Sequence, residues 1–270
     1  MDIQPRIELL QAEVDESDQS FFRLLVNNQS IKYITINPGI YLAEDMCFGP
    51  SLISILPKFP PGNWNDGLVA LDAKGRPYFA SLNQTQFPGV KNTWHETFVD
   101  YLDLSIGQKL RTGIYEGKCS LSEDTIVVKF ARFPWEIQYI ENETTAYQWI
   151  SSHSTTTATP IAPRFLGHLT ESGRVIGFLM ERITDARHAS TQELQACRVV
   201  LSRLHNLGIR HGDTNRFNFL ICDMKAILTD FDTAKIDTVK KCDDRDLLLQ
   251  ELDSLTACFE DSLGSGGGLL

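Results

Sequence analysis

The stretch LHNLGIRHGDTNRFNFLICDMKAILTDFDTA, residues 204–234, decides how the rest of the chain is read. Its first carboxylate, Asp213, is followed by an amide, Asn218, and a second carboxylate, Asp230, stands at the end of the apolar run AILT. Phosphoryl transfer from a nucleoside triphosphate needs a group that orients the attacking hydroxyl and accepts its proton. It also needs hard oxygen ligands on a divalent cation that bridges the phosphates. Asp213 suits the first task. Asn218 and Asp230 suit the second, one with an amide oxygen and the other with a carboxylate.

The neighbouring segments read as regular structure. Immediately upstream, ELQACRVVLSRLHNLGI sets Leu194, Cys197, Val200, Leu201 and Leu204 at helical spacing, with Gly208 as the stop. FNFLI and KAILTDFD read as short strands, and DRDLLLQELDSLTACF as a closing amphipathic helix. Farther back, LDLSIGQKL, GIYEGKCSL and DTIVVKFAR read as three strands. WEIQYIENETTAYQWISS follows with Ile137, Ile140, Ala146, Trp149 and Ile150 at helical spacing, and Ser/Thr-rich SSHSTTTATP breaks it. GRVIGFLMERI reads as a buried strand. Three strands, a helix, a strand pair, a helix, short strands and a helix give an α+β chain with a strand-rich half and a helix-rich half.

Residues 1–100 read as a β-rich N-terminal extension. Ile7, Leu9 and Leu10 allow a helical start. YITINPGIYLA, SLISILPKFPPGNW and DGLVALDAKGRPYFASL then follow as apolar runs separated by Pro/Gly/Asn turn signals, the last a hairpin. Asn63, Trp64, Asn65 and Asp66 have the character of a site lining, but a loop anchored by one tryptophan explains them more simply. No internal repeat is visible, and Gly-rich 263–270 reads as a flexible tail.

The 270 residues are 42% hydrophobic and 22% charged, a soluble globular composition, with net charge -10. That balance argues against sequence-independent nucleic-acid binding, which needs a basic footprint. No apolar run approaches the roughly 18 residues of a membrane span. The N-terminus lacks the basic-then-apolar layout of a secretory signal. The cysteines at 47, 119, 197, 222, 242 and 258 form no C-x-x-C pair, so a zinc site has no support. Cys119, Cys197 and Cys222 lie in apolar segments and read as buried thiols, which points to a reducing cytoplasmic or nuclear location.

HGDTNRFN (211–218) followed by DFD (230–232) resembles the catalytic loop and metal-binding motif of the protein-kinase-like superfamily. The His-Gly-Asp form is similar to that of aminoglycoside, choline and small Rio-type kinases. The whole chain most resembles kinase-like proteins of fungi. Some proteins of that kind carry an α-galactosidase label, which nothing here supports: no pair of carboxylates flanks a sugar site, and no strand–helix repeats build a barrel. The resemblance covers residues 101–262 and implies a two-lobed kinase-like fold. Its strand-rich N-lobe would be 101–180 and its minimal helical C-lobe 184–262. It implies ATP and Mg²⁺ as cofactors, Asp213 as the base, Asn218 and Asp230 as metal ligands, and His211 as a structural brace. By the same resemblance Lys129, ending TIVVKF, contacts the phosphates. Its partner is Glu143, in an E-x-x-A-Y pattern, with Glu141 as the alternative. The backbone near Met180, Glu181 and Arg182 meets the adenine, and Gly113 belongs to the loop over the phosphates.

Two departures bear on function. RTGIYEG (111–117) has Gly113 and Gly117 but no G-x-G-x-x-G, and Gly212 stands where regulated protein kinases carry arginine. Little chain follows Asp230, which leaves no room for a peptide-docking helical platform. The expected activity is an ATP/Mg-dependent phosphotransferase acting on a small-molecule or protein hydroxyl. The alternative is a pseudokinase that serves as a binding or scaffolding module.

Overall fold

The computed structural model describes residues 5–153, 159–236 and 242–260. The Gly-rich tail and half of the Ser/Thr-rich break lie outside the described residues. The chain is α+β and strand-rich, and it divides into two compact units. The first comprises Met1–Pro88 with Glu171–Gly173, and the second Gly89–Thr170 with Arg174–Leu270. The sequence reading set the division at residue 100. It falls earlier because strand Phe98–Asp100 pairs within the second unit, alongside Phe165–Glu171.

The first unit is a five-stranded sheet in spatial order β1 (Ile7–Glu13), β2 (Ser20–Val26), β3 (Ser30–Ile36), β4 (Asp66–Leu71), β5 (Pro77–Asn83). All its neighbours are antiparallel except β3 and β4, whose parallel crossover carries helices α1 (Ala43–Cys47) and α2 (Gly49–Ile55). The hairpin expected from DGLVALDAKGRPYFASL is β4–β5. The start expected to be helical is instead strand β1. A short apolar run such as IELL fits either period, and pairing with β2, bulged between Leu9 and Gln11, decides for the strand. The core gathers Phe22, Leu24, Ile34, Ile36, Leu52, Trp64 and Val69. At its edge a fully buried Arg23 bonds Gln11 at 2.6 Å and Glu171 at 2.8 Å, and the Tyr33 hydroxyl donates to the other oxygen of Glu171 at 2.7 Å.

The second unit begins with a six-stranded sheet. Its spatial order is β6 (Phe98–Asp100), β10 (Phe165–Glu171), β11 (Arg174–Glu181), β9 (Ser122–Phe130), β8 (Ile114–Cys119), β7 (Ser105–Arg111). Helix α3 (Ile137–His153) packs on β11 and buries Ile140, Glu143, Ala146, Tyr147 and Ile150. Helix α4 (Leu194–Asn206) buries the expected Cys197, Val200, Leu201 and Leu204, and Gly208 takes the left-handed φ of +77° past its end. Short strands follow: β12 (Arg187–His188) with β14 (Phe219–Cys222) and β15 (Lys225–Leu228), and β13 (Ile209–Arg210) with β16 (Lys235–Ile236). Helix α5 (Cys242–Glu260) closes the chain and packs on α4. Of the thiols expected to be buried, Cys197 is, while Cys119 and Cys222, each the last residue of its strand, are half-buried. Among the described residues no helix is long and apolar enough to cross a membrane.

The turn before α4 is a capping box, in which the Glu193 carboxylate accepts from Ser190 N at 2.9 Å and Ser190 Oγ at 2.6 Å and pairs with Arg187 at 2.5 Å. The Arg187 hydrogen bond, then those of Ser190, hold its pKa down from 4.5 to about 2. A carboxyl lowered in the folded state adds stability that is fully present above pH 4.5 and is lost as pH falls through about 2. Glu193→Gln is therefore expected to flatten the acid limb of stability across that window in urea denaturation. An unchanged limb would assign the titration to another group.

Candidate active site

Lys129, next to the last residue of β9, is 9% exposed. Its Nζ lies 2.5 Å from Glu143 Oε2 on α3 and 2.5 Å from Asp230 Oδ1, just past β15. Three segments remote in sequence thus meet at one ammonium. The Glu141 alternative is placed elsewhere, where its carboxylate accepts the backbone N–H groups of Lys91 at 2.5 Å and Asn92 at 3.0 Å. Two positions on a helix are rotated by about 200°, so only one of the two glutamates can face the ammonium.

Electrostatics separates the three groups. Burial pushes the Glu143 carboxyl up; the Lys129 charge pulls against it and Asp230 adds repulsion, leaving it at about 7. Burial works against the Lys129 charge, but Glu143 and Asp230 outweigh it and raise its pKa. Burial likewise opposes ionisation of Asp230, and Lys129, Arg111 and His211 prevail and lower it. Asp230 also has a φ of +67°, an uncommon conformation for a residue other than glycine and one that gathers at functional sites.

The loop between β13 and β14 supplies Asp213 and Asn218. Both Asp213 oxygens accept from Asn215 Nδ2 at 2.9 Å. Asn218, 1% exposed, turns its Nδ2 to the Asp213 backbone carbonyl at 3.0 Å and to Oδ2 at 3.1 Å, which leaves its amide oxygen as the free acceptor face. His211 is buried and braces the loop as expected. One ring nitrogen lies 3.0 Å from the Thr229 carbonyl and the other accepts from Asp213 N at 3.3 Å, while burial holds the imidazole below its ordinary pKa. Gly212 is required here: φ is +89°, and a Cβ would stand 2.6 Å from the Thr233 carbonyl oxygen. From α5, Glu251 accepts the backbone N–H of Gly212 at 2.6 Å and of His211 at 3.1 Å and meets His205 Nε2 at 2.7 Å.

Two adjoining cavities of the second unit share Arg111, Ile114, Lys129 and Asp230. The more polar, about 500 Å³, is also lined by Lys109, Asp213, Asn215, Asn218 and Asp232. The narrower, about 160 Å³, is walled by Val127, Met180, Glu181, Arg182, Leu220 and Phe217 among others. Met180 and Glu181 therefore line it, with the Met180 sulfur accepting from the Tyr147 hydroxyl and Glu181 N already donating to the Arg164 carbonyl at 2.9 Å. Gly113 lines neither cavity. It sits at the β7–β8 turn with φ +73°, its carbonyl accepting from Phe130 N, and its neighbours Arg111, Thr112 and Ile114 face the space.

Sequence reasoning missed Arg111. Its guanidinium donates to the Phe217 carbonyl at 3.1 Å and lies 3.8 Å from Asp230 Oδ2, opposite Lys129 on the other carboxylate oxygen. It also missed His188, which lines the narrow cavity with a buried Nδ1 that has no hydrogen-bond partner among the described residues, and Glu251. Only the position of Arg111, next to a glycine-poor turn, could have drawn attention to it. Compared with known proteins, the sequence matches no family model and no curated protein.

Proposed function

We propose that the chain is an ATP- and Mg²⁺-dependent phosphotransferase with a two-lobed, protein-kinase-like fold in its second unit, acting on a small-molecule or protein hydroxyl. The observation that carries this reading is the triple contact at Lys129, set on the wall of a cavity that also receives Asp213 and Asn218. Lys129 binds phosphate oxygens, with Glu143 fixing its direction. Asp213, its orientation set by Asn215 and Asn218, aligns the acceptor hydroxyl and takes its proton. The narrow apolar cavity holds the base.

Asp230 and the Asn218 amide oxygen are hard donors of the kind magnesium takes alongside phosphate oxygens, and Asp232 is next to them. When bound, the ion neutralises phosphate charge. Arg111 offers that same anion a guanidinium contact beside the Lys129 ammonium, where a glycine-rich loop would offer backbone N–H groups. The degenerate turn at 111–117 favours a second reading, a kinase-shaped binding module that holds nucleotide without turning it over.

Thermal unfolding with and without Mg·ATP tests the first step. A ligand at 100 times its Kd adds about 2.7 kcal/mol of stability, so a clear rise in Tm is expected. Asp230→Asn is expected to remove the magnesium-dependent part of that rise. If wild-type protein gives no shift with Mg·ATP, both readings fail.

A further inference from the structure

The loop that the sequence presents as a turn held by one tryptophan covers a buried charge. Trp64 is 5% exposed, and Lys32, from β3 of the same unit, is 9% exposed. Lys32 Nζ donates to the Trp64 carbonyl and lies 4.1 Å from the centre of the Trp64 ring. Among the described residues no carboxylate pairs with it, and burial lowers its pKa with no charged group offsetting the effect. A buried ammonium without a counter-charge is costly, and one carbonyl and one ring face compensate only in part. An ammonium has three donors, so bonding capacity remains.

That capacity faces open space. Lys32 lines a cavity of about 680 Å³, within the range of small-ligand sites. Lys58, Asn27, Asn63, Asn65 and Gln84 also line it, and among the described residues no aspartate or glutamate does. In a chain of net charge -10, a recess whose described lining carries two lysines and no acid is a marked local reversal of sign. The walls are fixed in advance. Phe59, Trp64 and Phe79 pack ring to ring at 5.5–5.6 Å, and Asn65 exchanges side-chain-to-backbone hydrogen bonds with Thr85 at 2.7 and 2.9 Å.

We propose that this cavity of the first unit binds a small oxyanion, a carboxylate or a phosphate group, on the Lys32 ammonium. The site lies wholly within the first unit and gives it a ligand-binding role that does not depend on the phosphotransferase reading.

The test is an NMR titration of the full chain with three probes: inorganic phosphate, succinate, and neutral succinamide. At least one anion is expected to shift the backbone amides of 27–32 and 58–65, and the stronger anion identifies the ligand chemistry. Succinamide is expected to leave them unmoved. Lys32→Met is expected to weaken binding by at least about tenfold, and Lys32→Arg to keep it. The proposal is overturned if neither anion moves those amides, if shifts occur only around Lys129, if succinamide binds equally, or if Lys32→Met binds as wild type does. The wild-type map decides on its own should Lys32→Met fail to fold.

Discussion

Asp213→Ala is expected to lower single-turnover conversion of Mg·ATP to ADP by about 10²–10⁴-fold while Mg·ATP still raises Tm as in wild type. The split follows from geometry. Asp213 lines the wider cavity and not the narrow one, and among the described residues its side chain bonds Asn215 and Asn218, so the nucleotide contacts proposed for Lys129 and the narrow cavity are expected to survive its loss. What is lost is the carboxylate proposed to face the acceptor. Alanine also leaves the Asn215 and Asn218 amides short of a partner, so Asp213→Asn is the necessary companion: it keeps an acceptor oxygen and the volume but loses most of the basicity. Equal losses of turnover in both variants, with binding retained, identify general-base chemistry. Turnover unchanged in both would remove Asp213 from the mechanism. Wild-type protein that binds Mg·ATP with no turnover above background would favour the binding module instead.

What the sequence disclosed and what it hid follow from how local the contacts are. Asp213, Asn218 and His211 lie within one loop, and their mutual bonds span at most five residues, so type and spacing carried the information. Glu143 was preferred to Glu141 through the resemblance of ETTAYQWI to an E-x-x-A-Y pattern, and helix α3 does present Glu143, not Glu141, to Lys129. Arg111 was not readable, because its approach to Asp230 depends on how the β7–β8 hairpin lies over the cavity, and a strand-end arginine next to a turn is ordinary in sequence. Glu251 was hidden for the same reason. It is one acid among several on α5, and only helix packing brings it to the backbone of Gly212. In the first unit, pairing with β2 overrode the ambiguous period of IELL. The reading of Trp64 as an anchor was right about its burial and blind to the lysine beneath, since Lys32 in an alternating strand gives no sign of facing inward.

The second large effect separates stability from function at the same residue. Lys129→Met is expected to destabilise the fold by about 3–5 kcal/mol near neutral pH, because it strands the Glu143 carboxylate, which is 0% exposed and otherwise, among the described residues, accepts only from Phe231 N–H at 3.2 Å. The loss has a predictable pH dependence. Glu143 already titrates at about 7 in place of 4.5, and without the Lys129 charge its pKa rises further. A carboxyl raised in the folded state binds its proton more tightly there than in the unfolded chain. The variant therefore regains stability as pH falls from above 7 towards 4.5, and its deficit is greatest on the alkaline side. Adding Glu143→Gln removes the stranded charge and is expected to restore most of the lost stability at pH 7, as read by urea denaturation. Mg·ATP is nonetheless expected to give no Tm shift in the restored double variant, since a folded protein then lacks the ammonium proposed to bind phosphate. A small, pH-independent loss in Lys129→Met would mean that Glu143 does not depend on this pair. A normal Mg·ATP shift in the double variant would take Lys129 out of the nucleotide site.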